Sequence, residues 1–270
     1  MKILITGYKG FIGQNLMSLL EKEHQVAGYE WDEENLPYIK GFDWVIHLGA
    51  ISSTTERDID KIILRNYEFS KWLYNQCQIY GVNLQYASSA SIYGSTTHFT
   101  EDGPPDPQSP YAWSKYLFDR WVTGQQSKVI VQGYRYFNVY GPNEHHKKDQ
   151  ASPVHKFTEQ AKNNGIIYLF ENSEIYQRDF VFVGDICQVH RDMLNIQESG
   201  VFNVGTGTAT SFKDIAEVIA EKYSAKIEYI PMPEILQNQY QRYTCANINK
   251  LSQHININWT KVSDYINTSF

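Results

Sequence analysis

The feature that most constrains the fold lies at the start of the chain, in "KILITGYKGFIGQNLMSLLEKE", residues 2–23. The apolar run Lys2–Thr6 has strand character, and Leu16, Leu19 and Leu20 recur at helical spacing. Gly7, Gly10 and Gly13 therefore sit between a strand and a helix. Only glycine lets the backbone turn this sharply and approach a pyrophosphate, whose charge then meets the free N–H groups of the helix. This context predicts a dinucleotide site rather than a bare turn. A second strand, "QVAGYE", ends in Glu30, a carboxylate placed to accept the hydroxyls of an adenosine ribose.

Further strands alternate with helices. A strand is expected at 43–50, a long amphipathic helix at 56–80 burying Ile62, Ile63, Tyr67, Leu73 and Tyr74, and a strand in "VNLQYASSASIYG". The loop "EDGPPDPQSP" can be neither helix nor central strand. A helix at 111–126 and the strand region "KVIVQGYRYFNVYG" follow it. This order predicts an α/β chain with a Rossmann-type, doubly wound, mostly parallel sheet and a smaller C-terminal substrate-binding lobe. The boundaries are expected at 1–140 for the dinucleotide-binding domain, rejoined by about 179–205, with 141–178 and 206–270 forming the smaller lobe. Only about a dozen residues, "WDEENLPYIKGFD", separate the second strand from the strand at 43–50. A full crossover with its helix and another strand needs roughly 30, so the third-strand region is expected to be shortened. Ser211 and Asp214 have the spacing of an N-cap and its N3 partner.

Composition excludes several classes. No apolar run approaches the roughly 20 residues of a membrane span. The start "MKILITG" lacks a signal peptide's apolar region, so a cytoplasmic protein without membrane partners is expected. Cys77, Cys187 and Cys245 stand far apart without metal-ligand spacing, which predicts free thiols and no metal. The net charge of −6 and the lack of a basic stripe with interleaved aromatics argue against nucleic acid.

Tyr111 and Lys115 stand one helical turn apart, after a strand that ends in Ser88 and Ser89. A Lys⁺ there can lower the phenol's pKa and make tyrosinate an accessible base, while a serine hydrogen-bonds a substrate oxygen. With the glycine fingerprint, this set resembles the extended short-chain dehydrogenase/reductase family, the NAD-dependent epimerases and dehydratases. "GAISSTTERD", "YASSASIYG", "SKYLFD", "YRYFNVYGPNEHHKK" and "LFENSEIYQRDFVFVGD" are similar, within that family, to the ADP-L-glycero-D-manno-heptose 6-epimerases.

The resemblance implies a nucleotide-sugar epimerase that oxidises and re-reduces its substrate with one tightly bound NAD or NADP per chain. It implies that Ser89 polarises the reacting oxygen, Tyr111 is one acid/base and Lys115 holds the nicotinamide ribose. Lys147 falls where the heptose epimerases carry a second acid/base, which singles it out from His145, His146 and Lys148 beside it. Inversion needs two such groups because the epimeric hydroxyls point in different directions. Phe11, Ile12, Leu48, Gly49, Ala50, Asn66 and Val139 fall at cofactor positions, and Asn138, Phe170, Glu171, Asn172, Ser173, Arg178 and Tyr240 at substrate positions. The two long helices are expected to form a homo-oligomer interface.

Three departures from that pattern matter. The shortened segment after Glu30 removes part of the adenosine pocket and leaves the choice between NAD and NADP open; Lys40 is the only cation in residues 31–42. Asp149 replaces a substrate-binding serine. Ser91 stands where 4,6-dehydratases carry the acid that expels a hydroxyl, which disfavours dehydration. A UDP-hexose 4-epimerase, a sugar-ketone reductase and a dinucleotide-sensing scaffold are the other readings. A scaffold would be expected to have lost Ser89, Tyr111 or Lys115, and all three are present.

Overall fold

The computed structural model describes residues 1–31, 35–53, 56–234 and 241–269. Its main sheet has six strands, β1 (Lys2–Thr6), β2 (Gln25–Tyr29), β3 (Trp44–His47), β4 (Asn83–Ser89), β5 (Val131–Tyr136) and β9 (Gly200–Val204), in the order β2-β1-β3-β4-β5-β9. Every pairing in it is parallel. Such a sheet must be covered on both faces, and β1 shows how. Ile3 and Ile5 pack with α1 (Phe11–Leu20) and α6 (Val183–Met193), through Leu16, Leu20, Val183 and Cys187. Leu4 points the other way, toward Leu73 and Cys77 of α3 (Phe69–Tyr80) and Phe118 and Val122 of α4 (Pro110–Thr123). Each large apolar side chain so buried stabilises by about 1.5–3 kcal/mol. Leu73, fully buried, would cost about 2–5 kcal/mol on truncation to alanine.

The shortened region is as expected. Between Tyr29 and Trp44 the described residues form neither helix nor strand, and β2 is the sheet edge. Ile39 plugs this connection into the core beside Val45 and Leu73.

Two local features were not foreseen. The helix expected at 56–80 starts at Ile59, behind the Asp58 side chain, which accepts from the Lys61 N–H. It runs as α2 (Ile59–Ile62), then a π-helical turn over Ile63–Glu68, then α3. The strand region 128–141 is also divided. At Phe137 the chain leaves the main sheet, and β6 (Asn138–Tyr140) joins β8 (Gln177–Phe182) and β10 (Ala209–Ser211) in a three-stranded sheet. There Asn138 stands opposite Phe180. A second core of Val154, Ile167, Leu169, Phe180, Phe212 and Ile219 lies in this part of the chain. Its helix α7 (Phe212–Tyr223) begins with the reciprocal Ser211–Asp214 capping box.

Candidate active site

The carboxyl ends of parallel strands are where an open α/β sheet leaves a crevice, and two cavities lie there. The larger, about 310 Å³, is lined by Ser88 and Ser89 from β4, Tyr136 from β5, Asn138 and Val139 from β6, Phe11 and Ile12 from α1, Tyr111 from α4, and Lys147. The smaller, about 150 Å³, lies at the ends of β1, β2 and β3, among Thr6, Gly7, Tyr29, Glu30, Trp31, Gly49, Ala50, Ile51, Arg65 and Phe69.

The glycine turn fits a pyrophosphate. Gly7 has φ +74°, and a Cβ there would stand 2.6 Å from the Gly49 Cα. A Cβ on Gly13 would collide with the Gly7 carbonyl oxygen. No side chain caps the N-terminus of α1 at Gly10, so its N–H groups stay available for an anion. Beside the turn, Glu30 Oε1 accepts the Lys9 N–H at 2.6 Å.

The π turn explains the position of Asn66. Its amide donates to the Ile51 carbonyl at 2.9 Å and to Ser114 Oγ at 3.0 Å, and its oxygen accepts the Ile51 N–H at 2.8 Å. The loop Leu48–Ile51 is thereby tied to α4. A buried chain supports the same turn: His47 bonds Thr6 Oγ1 at 2.6 Å and Ser70 Oγ at 2.9 Å, and Ser70 donates to the Asn66 carbonyl. Burial first, and the Lys115 charge second, hold His47 down at about 3, so it serves as a neutral strut.

Ser109 caps α4, accepting the Ala112 N–H at 3.2 Å, with Pro110 in the first turn. This presents Tyr111 and Lys115 on one face. The Lys115 ammonium donates to the Ala87 carbonyl at 2.9 Å and lies 6.0 Å from the centre of the Tyr111 ring. Burial draws its pKa down to about 8, opposed by Asp119. The expectation that Lys115 lowers the Tyr111 pKa does not hold here. Desolvation pushes that phenol up, and the group that opposes the rise is Ser89, through a hydrogen bond.

The run "HHKKD" resolves into unlike residues. His145, His146 and Lys148 are exposed, whereas Lys147 is half-buried and enters the larger cavity, its ammonium 5.1 Å from the centre of the Phe11 ring. Two short 3₁₀ turns within His145–Gln150, joined by a kink at Lys148 (φ +48°), set this arrangement. Burial lowers the Lys147 pKa, Glu144 opposes, and the cation that adds to the lowering is Lys156 of α5 (Pro153–Asn164), not the adjacent Lys148. Sequence reading passed over Glu144. Its buried carboxylate accepts from the Gly141 N–H at 2.9 Å and from the Ser152 N–H and Oγ at 2.6 and 2.8 Å, closing the loop that carries Lys147. The one signal was an acid heading a basic run.

The other expected residues fall into two groups. Gly7, Phe11, Ile12, Glu30, Gly49, Ala50, Asn138 and Val139 line one of the two cavities, with Gly10, Gly13, Leu48 and Asn66 in the turns beside them. Phe170, Glu171, Asn172 and Ser173, where β7 (Ile166–Phe170) ends, line neither cavity. Arg178 also stands apart, its guanidinium 5.5 Å from the centre of the Phe212 ring. Tyr240 and the Asp149 side chain lie outside the described residues. A third cavity, about 570 Å³, surrounds the buried Arg135–Asp119 ion pair at 2.9 Å, away from these residues.

The NAD dependent epimerase/dehydratase family matches residues 3–205. The ADP-L-glycero-D-manno-heptose-6-epimerase of Brachyspira hyodysenteriae is 37% identical, over 92% of this chain and 90% of that protein. The enzyme of the same name from Alkalilimnicola ehrlichii is 35% identical over the same shares. Among solved structures, the Helicobacter pylori ADP-L-glycero-D-manno-heptose-6-epimerase superposes with TM-score 0.87 at 26% identity, over 98% of this chain and 94% of that one. A Thermus thermophilus UDP-glucose 4-epimerase, solved with NAD, does so with TM-score 0.82 at 25% identity, over 100% of both chains. The glycine cradle, the serine–tyrosine–lysine set and these likenesses agree, and the chain belongs to the NAD dependent epimerase/dehydratase family.

Proposed function

We propose that this chain is a nucleotide-sugar epimerase of the ADP-glycero-manno-heptose 6-epimerase type, inverting one carbinol carbon by transient oxidation. The observation that carries the reading is the presence of two proton-transfer groups, Tyr111 and Lys147, in the wall of one cavity with Ser89. A nicotinamide dinucleotide, held by the glycine turn, Glu30, the loop at Leu48–Ala50 and Lys115, supplies reversible hydride exchange. Ser89 holds the substrate oxygen, and Tyr111 takes or returns the proton of one epimer's hydroxyl. Lys147 does the same for the other hydroxyl, which points elsewhere once the keto carbon is reduced from its opposite side. Its lowered pKa suits this task, since an ordinary ammonium is a poor base. A 4-epimerase that turns its sugar over and reuses one tyrosine has no need of Lys147, which disfavours that alternative.

The substrate would thread between Asn138 and Lys147; Phe170, Glu171, Asn172, Ser173 and Arg178 line neither cavity, and their role as substrate contacts rests on the resemblance alone. The smaller lobe comprises the three-stranded sheet, β7 with its parallel partner Lys226–Ile230, and α5 and α7. We further read the exposed Ile59, Leu64, Trp113 and Leu117, on α2, the adjoining π turn and α4, as a homodimer face. Among the described residues no helix is long and apolar enough to cross a membrane, and we place the enzyme in the cytoplasm.

The test is a nuclear magnetic resonance screen of cofactor-loaded protein against nucleotide-linked heptoses and hexoses. Epimer formation from an ADP-linked heptose supports the reading. Turnover confined to UDP-hexoses, or none with any sugar, would replace it.

A further inference from the structure

We propose that Arg65 decides which dinucleotide this chain accepts, its guanidinium receiving the 2′-phosphate of NADP at the adenosine end of the site. The inference rests on the reading of the crevice as a dinucleotide site, and it names a residue for what the shortened segment left open.

Among the described residues, two charged side chains line the smaller cavity, Glu30 from the end of β2 and Arg65 from the π turn. A carboxylate alone would repel a 2′-phosphate. Glu30 is partly engaged already, by the Lys9 N–H, and Arg65 supplies the opposite charge from another wall. The guanidinium lies 5.1 Å from the centre of the Trp31 ring, and Trp31 meets Phe69 edge-on at 4.8 Å. Stacking on an indole fixes the plane of a guanidinium, so less freedom is lost when its fork meets a phosphate. Trp31 brings a second indication. Its buried indole N–H has no hydrogen-bond partner among the described residues, and such a donor is costly unless an acceptor arrives. A cation and an orphaned donor on residues of one small cavity are chemistry suited to an anion.

The competing cations are placed elsewhere. Lys40 is exposed and does not line the cavity, and the Lys9 ammonium lies 5.5 Å from the centre of the Tyr8 ring. The candidate cation thus comes from the π turn across the crevice, not from the loop after Glu30.

Calorimetry on cofactor-stripped protein tests the assignment. Arg65→Ala should weaken NADP roughly 10- to 100-fold, the worth of one charge-assisted hydrogen bond or two, and change NAD by less than about threefold. Lys40→Ala should leave both affinities near those of the unaltered chain. A measurement without any variant guards against misfolding. The unaltered protein should bind adenosine 2′,5′-bisphosphate more tightly than 5′-AMP, with the difference shrinking as salt rises. Equal losses of NAD and NADP in Arg65→Ala, an unchanged NADP affinity, or preference for 5′-AMP would overturn the proposal. All are binding readouts, so they can fail while the sugar screen succeeds, and the reverse.

Discussion

The Asn66 amide donates to Ser114 Oγ at 3.0 Å, and this one bond joins the π turn of the 59–80 helix to the helix that presents Tyr111 and Lys115. Because Asn66 also bonds both backbone groups of Ile51, a single side chain fixes the cofactor-side loop relative to the acid/base helix. Asn66→Ala leaves buried partners unsatisfied, at about 1–3 kcal/mol for each group. We expect a lower unfolding temperature together with a dinucleotide affinity reduced roughly tenfold or more. Ser114→Ala should be milder on both counts. Calorimetry and thermal unfolding of the two variants check this, and an Asn66→Ala protein with unaltered affinity would remove the clamp from the account.

Glu144 offers a comparable test on the substrate side. Glu144→Gln keeps the shape but sets an amide group against the Gly141 and Ser152 donors. Loss of charge-assisted hydrogen bonds of about 1.5–3 kcal/mol should loosen the loop. The expected result is a kcat reduced roughly 10- to 100-fold, with dinucleotide affinity unchanged, since the Glu144 carboxylate bonds Gly141 and Ser152 and not the glycine turn. Equal damage to cofactor binding would show a general packing role instead.

Lys115 makes a prediction about pH. Its folded pKa, drawn down to about 8 by burial, lies below the ordinary lysine value of about 10.4. Between those values the unfolded chain binds more protons than the folded one, so this group makes stability rise with pH across that window. Below about pH 8 both states are protonated and the burial cost stands in full. Lys115→Met removes the cost, so the stability difference between variant and unaltered chain should favour the variant most at pH 7 and shrink toward pH 10. The scale is on the order of 1–3 kcal/mol. Denaturant titrations at pH 7, 8.5 and 10 measure it, and a pH-independent difference would contradict the burial argument. The raised Tyr111 phenol acts above pH 10 in the opposite sense, so the window ends there.

Much of this site was legible in the chain because its signals are local. Gly7, Gly10 and Gly13 declare themselves by a strand before and a helix after. Tyr111 and Lys115 are four apart, and the missing crossover could be counted in residues between Glu30 and Trp44. What escaped is held by distant partners. The π turn at Ile63–Glu68 exists where Asn66 reaches Ile51 and Ser114, so an amphipathic pattern shows only a helix there. Arg65 looks like a solvated helix charge until the fold sets it beside Trp31. Lys156, not adjacent Lys148, acts on Lys147 because the 3₁₀ turns point the neighbours outward. The switch of sheets at Phe137 falls inside an unbroken run of strand-forming residues. The raised Tyr111 phenol was not legible because its cause is burial, which only the folded chain shows.

The most direct test concerns Lys147 as the second proton-transfer group. Lys147→Met and Tyr111→Phe are each assayed twice, loaded with oxidised dinucleotide for interconversion of the epimers and with reduced dinucleotide for hydride transfer to a substrate-like aldehyde. Both should lose interconversion by roughly 10²- to 10⁴-fold. Lys147→Met should still reduce the aldehyde by way of Tyr111, and Lys148→Met should behave as the unaltered enzyme in both assays. Full interconversion in Lys147→Met, or equal damage from Lys147→Met and Lys148→Met, would contradict the account.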